Sequence, residues 1–128
     1  MMNWTPPKLP PRLTLAQAIA RVEGFYAQGP RPNRPQRNHN PGDIEYDDFS
    51  RAHGAIGTDG RFAIFPDDAT GFAALNALLQ GKHYAGLTVE AAINRYAPPN
   101  ENNDQSYVAE VCAWTGHEPT DLVSEVLA

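Results

Sequence analysis

Proline placement constrains this chain more than any other feature. Twelve of its 128 residues are proline, mostly clustered over residues 6–11, residues 30–41 and Pro98-Pro99. Each proline fixes its own φ, removes a backbone donor and biases the residue before it away from the helical region. Regular elements are therefore expected between the clusters. With 41% hydrophobic and 20% charged residues, the chain reads as one ordinary globular domain. Residues 1–13 are expected to form an extended Pro-rich arm, and residues 14–128 a single domain.

The first helix is predicted from Thr14. Thr14 and Gln17 fit a capping box, and Leu15, Ile19, Val22 and Tyr26 recur on one helical face. Gly24 and Gly29-Pro30 mark its end, which puts Glu23 in the last turn beside the buried stripe. Residues 27–41 read as a polar loop rich in Pro, Arg and Asn. Ile44 to Tyr46 is a candidate short strand. Asp59-Gly60 is a hairpin dipeptide between candidate strands at residues 52–57 and 61–65. Asp67 or Asp68 should cap a second helix through Phe72, Leu75, Leu78 and Leu79, with Gly81 as its stop. Thr88 should cap a third helix, closed by Pro98-Pro99. Asn102 or Asn103 should start a fourth, ending at Gly116, and Thr120 a short last one. The expected fold class is α+β, mainly helical: an N-terminal helix, a small antiparallel sheet, then three to four helices.

A formal net charge of -5 and a pI near 5.2 argue against nucleic acid as a partner, since phosphate binding relies on a basic surface. Arg31, Arg34 and Arg37 form a candidate local basic patch. A single cysteine, Cys112, excludes an intramolecular disulfide, and its apolar helical setting marks it as a core residue. His39, His53, His83 and His117 lack zinc-site spacing, so no metal and no cofactor is expected. No apolar run approaches the ~20 residues that span a bilayer, so no membrane insertion is expected. Residues 1–13 lack the apolar core of a signal peptide, and synthesis in the cytoplasm is expected. A monomer is expected.

Three groups of residues could carry chemistry. Glu23 stands near a helix C-terminus, where the dipole disfavours a carboxylate; Val22 and Phe25 could add desolvation in the same direction. Such a group suits a general acid, although most helical glutamates are simply solvated. The run Asn38-His39-Asn40-Pro41-Gly42-Asp43 offers amide groups for a sugar and a second carboxylate, Asp43; an Asx-type turn would use the same residues. Glu45, Asp47, Asp48 and Asp59 are further carboxylates nearby. The third group is Tyr96-Ala97-Pro98-Pro99-Asn100-Glu101-Asn102, followed by Tyr107.

The order of these pieces resembles the lysozyme and lytic-transglycosylase superfamily. Val22-Glu23-Gly24-Phe25 resembles the E-S-x-F helix end of lytic transglycosylases, with Gly24 in place of the usual Ser. Asn38-His39-Asn40-Pro41-Gly42-Asp43-Ile44 is similar to the N-N-P-G-N-I/L motif of phage- and prophage-associated lysozyme-like proteins, in which a Y/W-A-P-P-x-E-N run also precedes a helix. Tyr96 through Tyr107 to Val111 resembles the later Tyr-Asn-x-Gly stretch of the transglycosylases, although Pro98 stands where an Asn-containing turn is often found. The resemblance covers roughly residues 14–118. It implies a lysozyme-like fold and cleavage of the glycan strands of bacterial peptidoglycan. Glu23 would be the general acid, Tyr96 would hold or polarise it, and Asp43 or a neighbouring carboxylate would assist water. Asn38, Asn40, Asn100 and Glu101 would contact substrate. The protein would then act on the wall after release or delivery. A non-catalytic wall-binding or virion-structural module on the same fold is the alternative.

Overall fold

The first helix, α1 (Leu15–Val22), begins where the capping box predicts. The Thr14 N–H donates to Gln17 Oε1 at 2.9 Å and the Gln17 N–H to Thr14 Oγ1 at 3.2 Å. A computed structural model describes residues 4–97 and 104–127. The chain divides into two compact units. One contains the chain up to Pro11 together with Ile19–Leu75; the other contains Arg12–Ala18 and the chain from Asn76 onward.

In the first unit, residues 4–11 form no helix or strand, and the Pro7 carbonyl accepts from Gln28 Nε2 at 3.1 Å. After α1 come two short helices that the sequence reading does not anticipate, α2 (Arg34–Arg37) and α3 (Asp48–Ala52). Both are nucleated by reciprocal capping boxes, Asn33 with Gln36 and Asp47 with Ser50, which supply partners for orphan N–H groups in the first turn. The expected strand at residues 52–57 is mostly lost to α3 and the turn after it. The sheet is a two-stranded antiparallel pair, β1 (Gly57–Thr58) and β2 (Ala63–Ile64), with Gly57 opposite Ile64. The expected strand at Ile44 to Tyr46 is reduced to one antiparallel bridge, Glu45 to Phe62. Helix α4 (Asp68–Gln80) starts at an Asp67 cap, whose Oδ1 accepts the Thr70 N–H at 2.7 Å. Ile19, Phe25, Ala63, Phe65 and Leu75 are core residues of this unit.

In the second unit, α5 (Val89–Tyr96) is capped by Thr88 as expected and packs on α6 (Asp104–Thr115). Val89, Ile93, Val111 and Val123 are fully buried there. The last helix, α7 (Val123–Val126), starts at Leu122 with no side-chain cap rather than at Thr120; Asp121 instead accepts the Glu118 N–H at 2.8 Å. The expected start of α6 at Asn102 or Asn103 lies outside the described residues. Over the described residues the molecule is thus α+β, mainly helical, with one small antiparallel sheet. Among the described residues no helix is long and apolar enough to cross a membrane.

Candidate functional site

Glu23 is the residue on which α1 stops. The Gly24 N–H donates to Arg21 O at 3.1 Å and the Phe25 N–H to Ala20 O at 2.9 Å, while Gly24 takes φ +95°. These are the paired bonds of a Schellman ending, with glycine in the left-handed position and an apolar residue after it. Phe25 is buried and packs edge-on to Phe72, ring centroids 5.4 Å apart. The elbow is then pinned from α2. Asn33 Nδ2 donates to Gly24 O at 2.7 Å, and Gln36 Nε2 donates to Phe25 O and Ala27 O, both at 2.9 Å. Glu23 therefore sits half-buried on a backbone whose neighbours are held by side chains from another segment.

The run at residues 38–43 is held differently. Asn40 is 0% exposed. Its Nδ2 donates to Ile44 O at 2.8 Å and to Ala63 O at 2.9 Å, and its Oδ1 accepts the Ile44 N–H at 3.0 Å. The expectation that Asn40 contacts substrate is corrected here: this amide joins the turn to β2 and has no surface to offer. Asn38 is also buried, and its Nδ2 donates to Asp59 Oδ2 at 2.9 Å.

Asp43 takes φ +50°, an uncommon conformation that Asp tolerates better than most residues. Its side chain is only 6% exposed and meets Arg34 in a fork, with Nη2 to Oδ2 at 2.8 Å and Nε to Oδ1 at 3.3 Å. The carboxylate expected to assist water is thus clamped by a guanidinium.

Arg34 is the hub of this surface. Its hydrogen bond to Asp43 holds it firmly in the charged form, and the nearby charges of Asp59 and Glu23 act in the same direction. Its guanidinium also lies 4.0 Å from the Phe62 ring centroid, and Arg61 approaches the same ring at 4.8 Å. Arg61 pairs with Glu45 at 3.2 Å. Asp59 accepts from Asn38 and from the Arg61 and Phe62 N–H groups, which together with the Arg34 charge lower its pKa to about 2. The structure therefore gathers Glu23, Asn38 and Asp43 in one unit with Arg34 and Asp59. In sequence Arg34 reads as part of a basic patch; its role as a clamp depends on Asp43, nine residues away.

The same turn rests on the start of α4. His39, at φ +50°, pairs with Asp68 at 2.8 Å. Gly71 passes so close that a Cβ there would fall 2.7 Å from Pro41 Cδ and closer still to the His39 carbonyl. Tyr96 is the last residue of α5 in the second unit, with its ring 6.3 Å from that of Tyr84. Asn100 and Glu101 lie outside the described residues. Among the described residues no three His, Cys, Asp or Glu side chains are grouped so as to hold a metal ion.

Comparison of the chain with protein-family models, with curated proteins and with solved structures gives no match. A functional reading therefore depends on the chemistry of the site itself. Its elements are a half-buried carboxyl at a rigid helix end and a neighbouring network in which Asp43 and Asp59 are already tied to Arg34 and Asn38.

Proposed function

We propose that the protein cleaves the glycan strands of bacterial peptidoglycan, that its fold is lysozyme-like, and that Glu23 is the general acid. The observation that carries this reading is the placement of Glu23. It is half-buried at the negative end of a helix, on an elbow fixed by Asn33 and Gln36, and it precedes the Asn38–Asp43 run in the order the resemblance implies. Glu23 gives its proton to the glycosidic oxygen as the bond to C1 breaks. The oxygen that then attacks C1 returns its proton to the Glu23 carboxylate. That oxygen comes from water in a muramidase, or from a hydroxyl of the strand itself in a transglycosylase. Asp43 serves as a structural carboxylate on this reading, because its oxygens are occupied by Arg34.

General acid catalysis contributes about 10²–10⁴-fold. Glu23→Gln should therefore slow release of soluble wall fragments by at least about 100-fold while leaving the circular-dichroism spectrum unchanged. A variant that digests walls at the wild-type rate would rule out the assignment.

A non-catalytic wall-binding or virion-structural module is the second reading. It is favoured by the commitment of Asn38, Asn40 and Asp43 to internal bonds. It predicts wall binding by wild type and Glu23→Gln alike, with no fragments from either.

A further inference from the structure

Beside the elbow lies an open groove of ≈ 480 Å³, lined by the extended arm at Lys8 and Leu9, by Arg21 of α1, and by Gly24, Tyr26 and Gln28. We propose that this groove seats an acidic peptide, namely the carboxylate-bearing peptide substituent of the glycan strand that Glu23 cleaves. The inference rests on the reading of Glu23 given above and adds the part of the substrate that the arm recognises.

Several observations support it. The groove is within the ~300–1,000 Å³ range of small-ligand sites. Its described lining carries two cations and no carboxylate, on a chain whose net charge is -5. Lys8 and Arg21 are both exposed. Exposed Leu9 and half-buried Tyr26 add apolar surface for aliphatic side chains. Burial raises the Tyr26 phenol pKa, with the Asp68 charge adding to it, so the hydroxyl is a neutral donor. Asp68 is itself paired with His39. The arm is tied in place by Gln28 Nε2, which donates to Pro7 O and Tyr26 O. Gly24, the next residue in the chain after Glu23, lines the groove.

The test is calorimetric binding to full-length Glu23→Gln protein. One probe is a soluble disaccharide carrying its stem peptide; the other is the same disaccharide with the peptide removed. The peptide-bearing probe should bind about tenfold more tightly, as two exposed charge pairs allow. The gap should shrink at high salt and close in Lys8→Glu/Arg21→Glu. Lys8→Glu alone, which alters only the arm, should lose about threefold. Equal affinities for the two probes, or a gap unchanged in natively folded charge-reversed variants, would overturn the proposal. Glu23-dependent wall cleavage with equal affinities would remove the groove proposal alone. A Lys8-dependent preference for the peptide without cleavage would remove the catalytic reading and leave the groove as a binding site.

Discussion

The elbow after α1 and the turn at residues 38–43 each carry a carboxyl side chain, Glu23 and Asp43, yet they are supported in opposite ways. The elbow borrows its support. Asn33 and Gln36 bind the carbonyls of Gly24, Phe25 and Ala27, so the backbone that follows Glu23 is held by side chains from another segment. The turn is supported from within. The Asn40 amide and the Asp43 carboxylate are themselves the fastenings. A reactive carboxyl needs the first arrangement, in which its position is set by other groups. Chemical similarity of residue types therefore does not make the two carboxylates equivalent.

The largest expected effect lies in the turn. Asn40→Ala would remove the partner of the Ile44 N–H and the Asn40 donor to the Ala63 carbonyl, and would leave the Ile44 carbonyl with the Ala63 N–H alone, which should cost about 3 kcal/mol in urea denaturation. A loss below about 1 kcal/mol would mean that the turn does not depend on its own side chains. Next is Gly71→Ala. The new Cβ would press on the His39 carbonyl and Pro41, so α4 or the turn must shift at a cost of about 2 kcal/mol.

The elbow should respond more mildly. Gly24→Ser restores the serine of the resembled E-S-x-F motif but places it at φ +95°, a strain of about 1 kcal/mol. Thermal unfolding would register it as a lowered Tm. An unchanged Tm would show that the backbone at Gly24 relaxes easily.

The smallest effect concerns acid. Asp59 titrates near 2 when folded, against about 3.9 for an unperturbed Asp. A depressed folded value contributes stability that is present above pH ~4 and lost as pH falls toward about 2. Asn38→Ala removes the largest cause of that depression. The Asp59 carboxyl should then titrate higher by NMR, and the acid limb of the stability curve should shift upward in pH. An unmoved titration would detach Asn38 from Asp59.

How much of this could be read from the sequence depended on distance along the chain. The Thr14–Gln17 box, the Asp67 cap and the Thr88 cap all act within three residues, and each was visible as a local pattern. The mainly helical α+β class followed from them and from the Asp59-Gly60 hairpin. The fastenings of the site act over longer separations: Arg34 to Asp43 over 9 residues, Gln36 to Phe25 over 11, Asn38 to Asp59 over 21 and His39 to Asp68 over 29. No local pattern distinguishes an asparagine that meets a ligand from one that meets a backbone two elements away. Helices α2 and α3 were missed for a related reason. At four and five residues they are too short for hydrophobic periodicity, and only their capping boxes mark them.

The most direct test of the division between the two carboxylates is digestion of purified walls by wild type, Glu23→Gln and Asp43→Asn, with mass spectrometry of the soluble products. Rates would be expressed per folded molecule. The account predicts that fragments vanish with Glu23→Gln, and that Asp43→Asn yields the same fragments with the same reducing or anhydro ends as wild type. Fragments that persist with Glu23→Gln, or that vanish with a well-folded Asp43→Asn, would contradict it.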